Sequence, residues 1–154
     1  MPETRPIVVK IGGSTLGSED TAIEDLIELQ AKGVPVVVVH GGGKIINEWI
    51  ARSDTIPQFI RGLRVTDKQT LDTVVAVLAG LVNKRLVAKV HALGGKAVGL
   101  SGIDGLLLQC NQMNPELGFV GAVSKVNSEP VRVMMDAGYI PIIAPVASEY
   151  PTGT

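Results

Sequence analysis

Two glycine turns, each directly after an apolar run, hold the residues of this sequence that are best suited to chemistry. The first glycine turn, Gly12 and Gly13, follows residues 7–11, and the second glycine turn, residues 41–43, follows residues 36–40. Glycines allow the backbone to approach a ligand closely, and the free N–H groups at the start of a helix favour an anion. An apolar strand, a glycine turn and a helical pattern in this order therefore favour an anion-binding site over a tight turn that binds nothing.

Lys10 lies near the end of the first apolar run. A charged side chain there is unfavourable unless it reaches water or a partner, and alone it is typical of a lysine that extends its ammonium group to the surface. The carboxyl ends of parallel strands, however, form the ligand crevice of open α/β sheets. The two glycine turns should therefore be neighbours at one sheet edge, with Lys10 directing a positive charge at the same anion.

The composition limits the possible functions. The chain has 154 residues, 45% hydrophobic and 19% charged, which fits one globular domain, and its net charge of −1 gives no electrostatic reason to expect nucleic acid or an anionic membrane. Aromatic residues make up 3%, too few for a base-stacking surface. One cysteine and two histidines without metal-motif spacing predict neither a disulfide framework nor a metal site.

Targeting signals are not evident in the sequence. No apolar run reaches the length that spans a membrane, and the N-terminus lacks the continuous apolar region of a signal peptide. We therefore expect a cytoplasmic protein.

The elements around the glycine turns predict a parallel sheet. Residues 36–39 are four valines, typical of a strand that is buried on both faces. A capping box at Thr21 and Glu24 predicts a helix that ends at Gly33, which makes a βαβ unit with a right-handed crossover. The order β-α-β-α-α-β-excursion-α-β predicts a three-layer α/β/α sandwich with a mainly parallel sheet. Pro141 and Pro145 count against a central place for the last strand, residues 139–147.

A long helix is predicted over residues 67–93, about 40 Å in length, with Thr66 and Gln69 as its capping box. Its apolar stripe is wider than a surface helix needs. Two interpretations remain open, contact with a second subunit or burial between neighbours of the same domain. The stripe comprises Leu71, Val74, Val75, Leu78, Leu81, Val82, Leu86, Val87 and Val90.

Several segments resemble, in the same order, the N-terminal half of acetylglutamate kinases, which belong to the amino acid kinase superfamily. KIGGS and HGGG are shared by several kinases of the superfamily, whereas GLRVTD is specific to acetylglutamate kinases and the related carrier-protein-dependent aminoadipate kinases. The resemblance covers essentially the whole chain. The segments are 9–14, 39–44, 62–67, 83–84, 118–121, 138–141 and 144–146.

The resemblance implies transfer of the γ-phosphoryl group of ATP, assisted by Mg²⁺, to the side-chain carboxylate of N-acetyl-L-glutamate in arginine biosynthesis. Such a direct transfer needs positioning and charge neutralisation and no protein nucleophile. By this resemblance Lys10 is the catalytic residue, since it would stabilise the moving phosphoryl group.

The same resemblance assigns the substrate contacts. The N–H groups of Gly42 and Gly43 would contact the substrate, and Arg64 would hold a substrate carboxylate, for which a guanidinium is well suited. His40 is expected to be a packed or hydrogen-bonded residue, and Asp104 a turn residue. The residues expected to border the phosphate path are Gly12, Gly13 and Gly41.

Intact members of the family continue into a second domain that carries the ATP site and a second catalytic lysine. The 154 residues are therefore expected to form one amino-acid-binding domain, inactive in catalysis alone, that forms a homodimer through the helix over residues 67–93. Two alternatives remain open, the aminoadipate kinase of lysine biosynthesis and a non-catalytic module that binds an acidic metabolite.

Overall fold

The computed structural model describes residues 5–12, 21–52 and 56–149. Its strands are β1 (Ile7–Ile11), β2 (Val36–His40), β3 (Phe59–Ile60), β4 (Leu63–Arg64), β5 (Ala97–Ser101), β6 (Leu108–Gln112), β7 (Gly121–Val126), β8 (Ile140–Ala144) and β9 (Ser148–Glu149). Its α-helices are α1 (Ala22–Ala31), α2 (Gly43–Ala51), α3 (Lys68–Val75), α4 (Asn83–Ala92) and α5 (Glu129–Asp136). A π-helical segment, Ala76–Val82, joins α3 to α4.

The central sheet has the strand order β1-β2-β8-β5, and all of its recorded pairings are parallel. The valines of β2 alternate between two cores. Val36 and Val38 pack on the side of α1, α2, α4 and the π segment, whereas Val37 packs with Val131 of α5. Because helices cover both faces, the predicted three-layer α/β/α sandwich with a mainly parallel sheet is confirmed.

Strand β8, which corresponds to the last strand predicted from the sequence, lies in the centre of the sheet, between β2 and β5. The expectation that Pro141 disfavours this place was wrong. The Ile140 N–H donates to Lys96 O, on the β5 side, at 2.8 Å. Since successive residues of a strand direct their N–H groups to opposite neighbours, the missing donor of Pro141 falls on the β2 side. There the recorded pairing begins one residue later, at Ile142, so little is lost.

The long helix is present but is not a uniform α-helix, because the π segment interrupts it. Val77, absent from the predicted stripe, is fully buried at 0% exposure. The wider turn of the π segment changes the phase of the side chains, so a constant period of 3.6 residues could not place Val77. Leu78, Val82, Leu86 and Val90 are buried in the domain's own core, which accounts for much of the stripe's width. Pairing of two chains along this helix stays a prediction.

Both predicted capping boxes were wrong in detail. Thr21 is the N-cap of α1, but its side chain makes no capping hydrogen bond. At α3 the cap is Asp67, whose carboxylate accepts from the Thr70 N–H at 2.7 Å, whereas the Thr66 hydroxyl donates to Arg64 O. The Asp67 carboxylate, one residue after the predicted cap Thr66, is better placed to accept a hydrogen bond from an N–H group in the first turn of α3.

The predicted excursion is a hairpin of β6 and β7, with β9 parallel to β6. A second hairpin, β3 and β4, is held against it by a bridge between Thr66 and Gly118, in which the Phe119 N–H donates to Thr66 O at 2.7 Å. This bridge fixes the position of Arg64, at the end of β4.

Within the described part of the chain, the helices are too short or too polar to cross a membrane.

We expect Asp67→Ala to lower the melting temperature by about 2–4 °C at neutral pH, the shift typical of losing one helix cap in a domain of this size. The hydrogen bond from Thr70 lowers the pKa of Asp67 below its ordinary value of 3.8. A lowered folded-state pKa means that the stabilisation is present above the unfolded pKa and is lost as the pH falls through the folded one. The difference in melting temperature between the parent and Asp67→Ala should therefore shrink below pH 3.8. Thermal melts at a series of acidic pH values measure it.

Thr21→Ala is the matched control, because that N-cap side chain makes no capping bond. Equal losses in the two variants would contradict the assignment of the cap to Asp67.

Candidate active site

Gly12 and the second glycine turn are neighbours at the carboxyl edge of the sheet. Ile11, the last residue of β1, is in register with His40, the last residue of β2. The Gly41 N–H donates to Ile11 O at 2.9 Å, which extends this pairing by one residue. The expectation that both turns lie side by side is confirmed for Gly12 and the second glycine turn. Gly13 lies outside the described residues.

The second glycine turn presents the first N–H groups of α2. The Gly41 N–H is used in the bond to Ile11, so this group is not available to a ligand. Gly42 is the N-cap and Gly43 the first helical residue, and Ile46 N–H to Gly42 O, at 2.9 Å, is the first helical bond. Because the opening N–H groups of a helix have no partner within it, this turn offers donors to an anion.

Gly42 and Gly43 are glycines for different reasons. A Cβ on Gly42 would lie 2.7 Å from Leu78 Cδ2, so a side chain there would force the buried Leu78, in the π segment, to shift. A Cβ on Gly43 would have no described atom within 4 Å, and its φ is not positive. Glycine in a helix is less favourable than alanine by about 1 kcal/mol. Nothing in the described fold requires this loss at Gly43, which is consistent with close approach of a ligand.

Lys10 occupies the penultimate position of β1, in register with Val39. Its side chain is exposed, and neither of the two ion pairs recorded among the described residues includes it. Because Ile11 faces the larger core and side chains alternate along a strand, Lys10 lies on the opposite face of the sheet. It stands two residues from Gly12, with its charge available to an anion at the sheet edge.

Arg64 is held beside α2 by contacts that the sequence does not reveal. Its Nη2 donates to Asn47 Oδ1 at 2.5 Å, and its guanidinium carbon lies 4.8 Å from the centroid of the Phe59 ring. Asn47 is four residues after Gly43, so both lie on the same face of α2. The arrangement brings Arg64 to within about one helical turn of the second glycine turn.

One edge of the Arg64 guanidinium is left without a partner. Its Nη1 is buried and has no hydrogen-bond partner among the described residues. Burial lowers the pKa of Arg64 from its ordinary value, although an arginine remains protonated in proteins. A buried donor without an acceptor is unfavourable by about 1–3 kcal/mol, and a carboxylate would remove this penalty.

His40 is packed and hydrogen-bonded, as expected, and Asp104, expected to be a turn residue, begins one turn of 3₁₀ helix, Asp104–Leu106. Asp104 accepts from the N–H and the hydroxyl of Ser101, at 2.6 and 2.9 Å. The His40 ring is 1% exposed and contacts Gly41 O and Asn83. Sequence reasoning missed the role of Asn83, although an amide between apolar stripe residues was a signal that it has buried partners. It also missed Asn47, which stands in no pattern that would have marked it.

The recorded cavities lie apart from the glycine turns. One of about 140 Å³ lies beside Arg64 and Asp67, and another of about 350 Å³ lies between the β3–β4 turn and residues 113–117. Neither is lined by Lys10, Gly42 or Gly43. Among the described residues, no group of three or more His, Cys, Asp or Glu side chains is placed to hold a metal ion.

A parallel sheet with glycine residues at its carboxyl edge, and a guanidinium held beside them, defines an α/β domain with a layout that is typical of anion-binding sites. The family model for the amino acid kinase family matches residues 5–154, and the chain belongs to this family.

Three relatives illustrate the similarity. The acetylglutamate kinase of Clostridioides difficile is 47% identical to this chain, over 92% of this chain and 51% of its own length. The acetylglutamate kinase of Synechocystis is 46% identical to this chain, over 94% of this chain and 50% of its own length. The crystal structure of smu.665 from Streptococcus mutans superimposes with a TM-score of 0.88, at 28% identity, over 94% of this chain and 60% of that one. The chain spans about half the length of the curated relatives it matches, and it corresponds to their N-terminal half.

Two alanine substitutions test whether the glycines have the different roles described above. Gly42→Ala should lower the free energy of unfolding by about 1–3 kcal/mol, because its methyl group would overpack Leu78. Gly43→Ala should leave it unchanged or raise it by up to about 1 kcal/mol, because alanine favours the helix. Urea denaturation measures both. Equal destabilisation by the two variants would show that packing also requires Gly43.

Proposed function

We propose that this chain is the amino-acid-binding half of an acetylglutamate kinase, and that it binds N-acetyl-L-glutamate between the second glycine turn and Arg64. The intact enzyme would transfer the γ-phosphoryl group of ATP to the side-chain carboxylate of this substrate. The observation that carries the proposal is the partnerless Nη1 of Arg64, buried beside α2 about one helical turn after the second glycine turn. The similarity to acetylglutamate kinases supports the choice of substrate.

The substrate has two carboxylates, and the site offers two kinds of partner. The guanidinium of Arg64 suits a carboxylate, since Asn47 and Phe59 already hold it in place. The N–H groups of Gly42 and Gly43 suit the other end of the substrate, where the phosphoryl group arrives. An acceptor held at both ends is positioned for in-line attack, which supplies much of the acceleration in such transfers.

Lys10 is proposed to neutralise charge on the phosphoryl group during transfer. Its exposed side chain extends from the strand that borders Gly12, on the sheet edge that the second glycine turn shares. A fixed positive charge and N–H donors stabilise the developing charge without any protein nucleophile. ATP would supply the phosphoryl group, and the Mg²⁺ that accompanies it would offset the charge of its phosphates.

We expect Arg64→Ala to weaken N-acetyl-L-glutamate binding by about 2–4 kcal/mol, because a charge-assisted bidentate contact is lost. Arg64→Lys should recover only part of this, since an ammonium group cannot reproduce the planar fork. Stability should change by less than about 1 kcal/mol, because loss of the Asn47 bond and the Phe59 contact is offset by removal of the buried, unpaired Nη1. Isothermal titration calorimetry and thermal melts separate the two effects.

Arg52→Ala is the matched control, because Arg52 stacks on Trp49 at 4.9 Å in the same manner but is exposed on the surface. It should leave binding unchanged. Binding by Arg64→Ala as tight as that of the parent would place the substrate elsewhere.

The 154-residue chain, supplied with ATP, Mg²⁺ and N-acetyl-L-glutamate, should form no acyl phosphate. By the family resemblance, the adenine site and a second catalytic lysine belong to sequence outside these residues. Trapping with hydroxylamine detects the acyl phosphate as a hydroxamate, and a full-length relative serves as the positive control. Turnover by the purified chain would require a nucleotide site within it.

A further inference from the structure

A buried amide links the second glycine turn to the centre of the sheet. Asn83 is 0% exposed, and its Nδ2 lies 2.8 Å from Ile142 O, 3.3 Å from Leu100 O and 3.2 Å from His40 Nε2. Backbone carbonyl oxygens only accept, so the atom that faces them must be the amide nitrogen. The opposite atom, Oδ1, accepts from Lys84 Nζ at 3.1 Å, which agrees with this orientation.

The Gly41 carbonyl determines the tautomer of His40. Because a carbonyl oxygen only accepts, His40 Nδ1, 3.0 Å from Gly41 O, must carry a proton and donate to it. In the neutral ring Nε2 is then the accepting nitrogen, which suits the Asn83 amide that faces it and shares its two protons among three acceptors. A doubly protonated ring would oppose two N–H groups at Nε2, and burial also lowers the pKa of His40, against a smaller opposing effect of the Gly41 bond.

From these contacts we propose that His40 and Asn83 are positioning residues that aim the N–H groups of the second glycine turn at the bound anion, an inference that rests on the function proposed above. The Gly41 carbonyl and the Gly42 N–H belong to one planar peptide group and point in opposite directions. A ring that holds the Gly41 oxygen therefore also fixes the direction of the Gly42 N–H.

Gly41 is fixed on both sides by this arrangement. Its own N–H donates to Ile11 O, which holds the preceding peptide, and the His40 ring holds the following one. Without the second contact the Gly41 carbonyl could rotate, because glycine has the widest choice of backbone conformations. Three glycines in a row would then lose much of their preorganisation, and binding would have to restore it.

The tautomer is the first test, and it needs no variant. In a proton–nitrogen correlation spectrum of the labelled chain, His40 should be neutral and protonated on Nδ1. The chain's other histidine, His91, is an internal reference that should be protonated on Nε2. Its Nε2 lies 3.0 Å from Ala97 O and must donate to this carbonyl oxygen. A His40 ring protonated on Nε2 would overturn the proposal.

Two variants separate positioning from packing. His40→Asn carries an amide at the level of Nδ1, so it can donate to Gly41 O but cannot reach Asn83, which keeps only its two carbonyl acceptors. His40→Gln carries its amide at the level of Nε2, so it can accept from Asn83 but not donate to Gly41. We expect His40→Gln to be the more stable variant and yet to bind N-acetyl-L-glutamate about tenfold more weakly than the parent, whereas His40→Asn stays within about threefold.

Calorimetric titration and urea denaturation on both variants provide the comparison, with amide order parameters of Gly42 and Gly43 in the free protein as a readout that needs no ligand. The order parameters should fall in His40→Gln and be retained in His40→Asn. If the more stable variant is instead the one that binds more tightly and keeps the higher order parameters, His40 has only a structural role and the proposal is wrong. If the parent itself does not bind N-acetyl-L-glutamate, the proposed function fails, and the tautomer and the order parameters still decide this inference.

Discussion

The parallel pairing of β1 with β2, in register from Ile7 and Val36 to Ile11 and His40, is the constraint on which the site depends. Because both strands end at the same level, Gly12 and the second glycine turn meet at one sheet edge, where the Gly41 N–H donates to Ile11 O. A shift of one residue would reverse which side chains face the two cores and would separate the turns. Lys10, the start of α2 and the His40 ring all take their positions from this pairing.

The sheet and its glycine turns were predictable because their signals are local. The four valines of β2 indicate burial on both faces, and the glycines after them mark the point where a strand gives way to a helix. The prediction of a parallel sheet covered by helices needed only these runs and their order along the chain. Strand ends in parallel sheets share one edge, so the neighbourhood of Gly12 and the second glycine turn followed without any knowledge of distant contacts.

The features that were missed depend on contacts between distant residues. Pro141 is tolerated in the central strand because β2 pairs only beyond it, and the π segment that buries Val77 arises from packing within the helix and its neighbours. Asn83 stands out as polar in an apolar stripe, but its partners come from β2, β5 and β8, more than fifteen residues away. A sequence pattern gives the period of an element and not the identity of the groups it meets.

Arg64 combines a local signal in the sequence with contacts to distant residues, and these contacts restrict its side chain before any ligand binds. Its motif was recognisable, but the contacts that hold it, Asn47 on α2 and Phe59 across the hairpin, join three separate elements. These contacts occupy one edge and one face of the guanidinium and leave Nη1 buried without a partner. A free arginine in water would have to lose rotamer freedom and hydration when it binds a carboxylate. Here the fold has already restricted the side chain and removed part of its hydration, so more of the contact energy would remain for the acidic ligand proposed above.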